Sequence, residues 1–152
     1  NDYEWRVAQF SPAVVFIMIG TNDASKKKEI STDKYRSNIE VLVSRIRKGR
    51  GIPVLQTPNI IITEKAAGRE SLKEYVSILR EVSETENALL VDHWKYWEGK
   101  AKLAPDEVYR KWMSDELHPN GKGHDEMAKL LFKKLEIFDG DSFTGSEHFL
   151  NG

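Results

Sequence analysis

Cysteine is absent from the 152 residues, which removes disulfides, thiolate nucleophiles and zinc–thiolate sites from consideration. It does not fix a compartment, since secreted and cytosolic chains alike can do without cysteine; a secreted or periplasmic setting is the favoured one. Long apolar runs are lacking as well. The longest, Ala13 to Ile19, falls far short of the roughly 20 residues that span a bilayer, so no membrane span is expected. Charge of one sign is missing too: 23 Lys and Arg face 24 Asp and Glu, a formal net charge of -1. A chain without a global field is not drawn to nucleic acid, and no such partner is expected. The start, Asn1-Asp2-Tyr3-Glu4, has neither an initiator Met nor the pattern of a signal peptide, which implies a processed or trimmed chain.

What is present is an ordinary globular composition, with 39% hydrophobic and 31% charged residues, and a length suited to one domain. Ala13 to Ile19 is rich in β-branched residues and ends at Gly20, which predicts a strand buried on both faces, as in a parallel sheet. A polar loop follows to Ser31, and Thr32 or Asp33 is placed to cap a helix. Tyr35, Ile39, Leu42, Val43 and Ile46 recur at helical spacing until Gly49 and Gly51 stop them. Ile52 to Thr57 reads as a second strand and Asn59 to Arg69 as a loop. Leu72, Tyr75, Val76, Leu79 and Val82 mark a second amphipathic helix, and Ala88 to Asp92 a third strand. An aromatic-rich connection, His93 to Trp112, precedes a turn-rich loop, Asp115 to Gly123. Met127, Leu130, Leu131 and Leu135 define a last helix. Strands alternating with helices imply an α/β three-layer sandwich built on a parallel sheet. Sites in such sheets form at the carboxyl ends of the strands, where Gly20 to Asp23, Pro58 and Asp92-His93 fall.

Two segments there carry residues suited to catalysis. In Gly20-Thr21-Asn22-Asp23, glycine lets a buried strand turn sharply, Asn22 is placed to donate to a developing oxyanion, and Asp23 to fix the loop by accepting backbone hydrogen bonds. The plain alternative is a strand-ending turn, since Gly, Asn and Asp are turn formers. In Asp115-Glu116-Leu117-His118-Pro119-Asn120-Gly121, a carboxylate three residues before an imidazole can take Nδ1–H and leave Nε2 to accept a proton from a nucleophile. The plain alternative here is the entry to a helix.

Together the two segments resemble the SGNH (GDSL-type) hydrolase family, whose third motif block is Gly-x-Asn-Asp after a buried strand and whose fifth is Asp-x-x-His-Pro before the last helix. Both occur in that order, with Asn22 and His118 separated by 96 positions, and the resemblance runs from Val14 to about Leu135. It implies a flavodoxin-like α/β sandwich over residues 1–138 with a polar tail at 139–152. It also implies Asn22 as side-chain oxyanion donor, His118 as general base, Asp115 as its orienting partner, and hydrolysis of acyl esters with no metal or other cofactor. The family's first block, Gly-Asp-Ser with the nucleophile, and its second, with a glycine N–H donor, do not occur in the 19 residues before Gly20. The chain is therefore expected to lack an N-terminal part of the domain. Gly140-Asp141-Ser142 reads like the first block at the wrong end. Residues 143–152 and 1–13 are too few to replace the helix and strand that a circular permutation would require, so Ser142 is a nucleophile candidate by motif only.

Other features carry less. His93-Trp94-Lys95-Tyr96-Trp97 can stack on a sugar ring, although such residues more often simply cover a sheet end; on this slender basis acetylated carbohydrate is the preferred substrate subclass. No histidine pair has metal-ligand spacing. Gly121-Lys122-Gly123 is not a phosphate-binding loop, and His124 belongs to the first turn of the last helix. Lys26-Lys27-Lys28 reads as a solvated loop face, with an anionic substrate as the sharper alternative. Two functional classes follow: a serine ester hydrolase, and a non-catalytic α/β module binding a ligand or partner. For the second, the sheet edge left by a missing strand invites pairing with another segment or a second copy.

Overall fold

The structure, a computed structural model, describes residues 2–28 and 30–142. Its elements run α1 (Asp2–Arg6), a 3-10 turn (Ala8–Phe10), β1 (Val14–Met18), α2 (Thr32–Lys48), β2 (Ile52–Gln56), α3 (Leu72–Thr85), β3 (Leu89–Val91), α4 (His93–Leu103), a π-helical turn (Glu107–Lys111) and α5 (Gly121–Lys134). They pack as two compact units. One holds the described residues up to Pro58 with Ala67–Asp92; the other holds Asn59–Ala66 with the described residues from His93 onward.

The first unit is a parallel sheet with strand order β1-β2-β3. Val14 pairs with Ile52 and Met18 with Gln56, while Val54 pairs with Leu89 on the other side of β2. The connections are α2 and α3, which pack on one another. Tyr35, Ile39, Val43 and Ile46 are the buried stripe of α2, and Leu72, Tyr75, Val76, Leu79 and Val82 that of α3. Each such Leu or Ile contributes roughly 1.5–3 kcal/mol through burial. The rings of Tyr35 and Tyr75 meet at 5.0 Å, and Arg47 reaches Glu86 at 3.1 Å. The cap of α2 is Ser31, whose hydroxyl accepts from Lys34 N–H, one residue before the expected Thr32 or Asp33. Asp33 in the first turn and Arg45, Arg47 and Lys48 in the last complement the helix dipole.

β1 departs from the expected burial on both faces. Alternation along a strand puts Val14, Phe16 and Met18 on one face, and they are 39%, 46% and 42% exposed, whereas Ile17 is buried. An apolar run records what a strand is able to bury, not what lies there to cover it. β1 is also the edge of the sheet, so its outer main-chain groups meet no other described strand.

In the second unit, the stretch expected to be an aromatic connection is largely helical. His93, Trp94 and Trp97 give α4 a buried stripe, and the π-helical turn follows it at Glu107–Lys111. The Trp97 and Trp112 rings meet in a T-shaped pair with centroids 5.1 Å apart. Because His93, Trp94 and Trp97 are buried, they are core residues and not a platform for a sugar. α5 begins at Gly121, inside the segment expected to be loop, because the Asn120 side chain accepts from Gly123 N–H at 3.1 Å and caps it. Gly123 is required there: an added Cβ would lie 2.3 Å from the Trp112 carbonyl oxygen.

Candidate active site

In the first unit, the loop after β1 is built on Gly20, whose φ of 128° lies in the region that favours glycine. A Cβ there would also stand 2.9 Å from the Tyr35 hydroxyl, which donates to the Ile19 carbonyl at 3.0 Å. Ala24 N–H donates to the Gly20 carbonyl and Ser25 N–H to that of Asn22. Arg69 Nε donates to the Thr21 carbonyl at 3.1 Å, and Lys26 N–H to the carbonyl of Gly68. Among the described residues the loop is thus held by main-chain bonds and Arg69, not by backbone bonds to Asp23 as expected. The Asp23 charge instead adds to burial in raising the phenol pKa of Tyr35 and Tyr75. Asn22 is exposed on this loop. Lys26, Lys27 and Lys28 are exposed as well, and Lys26 pairs with Glu70 at 3.3 Å.

In the second unit, the loop between the π-helical turn and α5 closes on itself. Met113 bridges to Pro119, Ser114 N–H donates to the His118 carbonyl, and Asn120 N–H to that of Trp112. Asp115 sits inside this closed loop. Its Oδ1 accepts from Leu117 N–H and His118 N–H, both at 2.7 Å, and its Oδ2 lies 2.8 Å from His118 Nδ1. These bonds, the imidazole's first and then the two amides, hold the carboxyl down at about 2, below its ordinary value. The His118 side chain is 71% exposed. A carboxylate on Nδ1 sets the tautomer in which Nε2 carries the lone pair, and among the described residues nothing bonds Nε2. Such an arrangement can serve as a general base with an orienting acid.

Neighbouring residues brace this loop. Glu107 accepts from Lys111 and Lys122, which pull its carboxyl down to about 2, and from Trp112 Nε1 at 3.3 Å. It therefore ties the π-helical turn to the start of α5. Asn59, which sequence reasoning passed over, is buried and donates to the Leu117 carbonyl at 3.1 Å. The Thr57-Pro58 strand end before it marked only a loop. Ser142, in the same unit, donates its hydroxyl to the Asp139 carbonyl at 2.7 Å in a turn beyond α5. Phe143 to Gly145, the rest of its motif, and the tail to Gly152 lie outside the described residues.

The model of the GDSL-like lipase/acylhydrolase family matches residues 1–126. The chain belongs to this family. Its relatives include an uncharacterized lipoprotein of Bacillus subtilis, 29% identical over 130 residues that cover 70% of this chain and 54% of the lipoprotein. Another is an acetylxylan esterase of Geobacillus stearothermophilus, 28% identical over 144 residues that cover 88% of this chain and 64% of the esterase. The chain thus spans roughly half to two thirds of these relatives. Among solved structures, a lipase/acylhydrolase of Enterococcus faecalis superposes with a TM-score of 0.76 at 23% identity, over 89% of this chain and 67% of that one. The Geobacillus esterase superposes at 0.74 and 24%, over 88% and 64%. The GDSL-like acylhydrolase fold, α/β with a parallel sheet, is therefore the fold of this chain.

Proposed function

We propose that this acylhydrolase-family chain carries the acid–base half of a serine ester hydrolase, with His118 as general base and Asp115 as its orienting partner. The observation that supports it most directly is the 2.8 Å contact from His118 Nδ1 to Asp115 Oδ2 beneath an exposed ring. In this reading Nε2 takes the proton of a serine hydroxyl as that oxygen attacks the ester carbonyl, and the imidazolium returns it to the departing alcohol. Water then hydrolyses the acyl-enzyme by the same base. Asn22, on the Gly-x-Asn-Asp loop, is the oxyanion donor, presented by the turn that Gly20 permits.

The substrate class proposed is a short acyl ester, an acetyl group on a carbohydrate. The buried aromatics of α4 give that choice no support. What supports it is the likeness to the Geobacillus acetylxylan esterase, of which solved forms include one catalytic mutant at a serine and another at an aspartate. Ser142 stands as the nucleophile candidate of this chain by its Gly-Asp-Ser sequence, though its bond to Asp139 does not direct it to a base.

Hydrolysis of an aryl acetate by the protein carrying this chain tests the proposal. His118→Ala is expected to lower turnover by about three orders of magnitude or more; turnover unchanged in that variant rejects the assignment. Ser142→Ala decides that residue's part: lost turnover makes it the nucleophile, retained turnover removes it.

One observation favours a second reading, a non-catalytic module that binds a ligand or partner chain at the sheet edge. The exposed row Val14, Phe16 and Met18 lies on the edge strand, and the relatives hold further chain beyond the matched part, enough for an added strand. Covalent labelling by a serine-directed fluorophosphonate supports the hydrolase, and its absence supports the module.

A further inference from the structure

The Leu117–His118 peptide is gripped from two sides. On one, Leu117 N–H and His118 N–H both donate to Asp115 Oδ1. On the other, the Leu117 carbonyl accepts from Asn59 Nδ2 at 3.1 Å. The same amide nitrogen donates to the Ile60 carbonyl at 2.7 Å and lies 3.8 Å from Met113 Sδ. Asn59 is only 8% exposed, so these bonds form where water does not compete for them. One turn further along, Ile62 N–H donates to the Glu116 carbonyl at 2.9 Å. The short segment after Pro58 therefore clamps the two residues that precede the imidazole.

The chemistry of the position is specific. Two carbonyl oxygens point at one side-chain atom, which must be a nitrogen with two hydrogens and no charge to desolvate. A carboxamide meets that requirement; a carboxylate of the same shape would set oxygen against oxygen. Releasing the Leu117 carbonyl would leave its peptide plane held on one side only, by His118 N–H on Asp115, and the His118 ring is carried on that plane.

We infer that Asn59 is a positioning residue, whose carboxamide fixes the Leu117–His118 peptide and thereby keeps the imidazole of His118 on Asp115. This rests on the proposed role of the pair only for its catalytic meaning; the positional claim concerns the pair itself. It separates Asn59 from the many buried residues that add stability alone, because its loss should reach the dyad while the fold persists.

The test reads the Asp115 carboxyl directly, by carbon-detected NMR titration of the full chain, alongside thermal unfolding. The groups acting on that carboxyl are the His118 imidazole and the amides of Leu117 and His118. In the unsubstituted chain the midpoint is expected at about 2. In Asn59→Ala it should rise toward the ordinary 3.8, and exchange of the His118 amide proton should quicken by about tenfold or more. Asn59→Ser, smaller but still a donor, should fall between and serves where Asn59→Ala does not fold. Val43→Ala, a core truncation in α2, should lower the unfolding temperature without moving the midpoint. A folded Asn59→Ala or Asn59→Ser chain with an unmoved midpoint and unchanged amide exchange overturns the inference. Turnover that survives His118→Ala would remove the hydrolase reading and leave this measurement intact, so the two claims fail separately.

Discussion

Asp115 holds His118 at two points: one carboxylate oxygen takes the residue's own backbone N–H at 2.7 Å, and the other lies 2.8 Å from its ring nitrogen Nδ1. Asp115→Asn keeps the shape but can donate to Nδ1, which favours the tautomer with the proton on the wrong nitrogen. Aryl-acetate turnover should fall by about three to four orders of magnitude. Turnover within tenfold of the original would show that the carboxylate does not act through the imidazole.

The acid limb of stability follows from two carboxyls. Asp115 and Glu107 both sit at about 2, below their ordinary values of 3.8 and 4.5. A carboxyl with a lower pKa in the folded than in the unfolded chain adds stability fully above the unfolded value and loses it as pH falls through the folded one. Chemical unfolding at a series of pH values should therefore show stability falling between about pH 4.5 and 2. Glu107→Gln should flatten that slope, and a slope unaltered by the substitution would assign it to other groups.

Two glycines within helices should respond oppositely to alanine. At Gly99 in α4 nothing lies within 4 Å of an added Cβ, so Gly99→Ala should stabilise by about 0.5–1 kcal/mol. At Gly123 in α5 the Trp112 carbonyl, Pro119 and Trp97 all lie within 3 Å of it, and Gly123→Ala should cost about 1–3 kcal/mol. Thermal unfolding of both variants checks the contrast, and equal shifts would contradict the packing described around Trp112.

Gly20→Ala meets two obstacles, a φ of 128° and the Tyr35 hydroxyl. Its cost should be about 1–3 kcal/mol from the backbone alone. Measured again in a Tyr35→Phe background, the cost should shrink but persist, because removing the hydroxyl relieves contact and leaves φ unchanged. A cost that vanishes there would make the contact the whole effect.

The legible part of the fold was the part that depends on local periodicity. The stripes of Tyr35 to Ile46 and Leu72 to Val82 are buried helix faces, and the run ending at Gly20 is a strand. Asp115 and His118 were legible because the residues between them are too few to separate them, and Pro119 keeps the segment out of a helix. What escaped reading is what depends on partners remote in sequence. β1 has the composition of an inner strand and lies at an edge. His93, Trp94 and Trp97 look like a binding surface and are core. Asn59 looks like a loop residue, yet it bonds the carbonyl of Leu117, 58 positions away.

By itself, then, the amino-acid order determined which segments are helix and strand, that they alternate, and that a carboxylate and an imidazole stand three residues apart in a turn-rich loop. Only the tertiary structure decided which apolar faces are covered and which backbone carbonyls receive a side-chain donor. The physical reason is range. Backbone geometry and side-chain period act over a few residues and are written in the order of the chain, whereas burial and hydrogen-bond satisfaction are settled by whichever distant segment folds against the site.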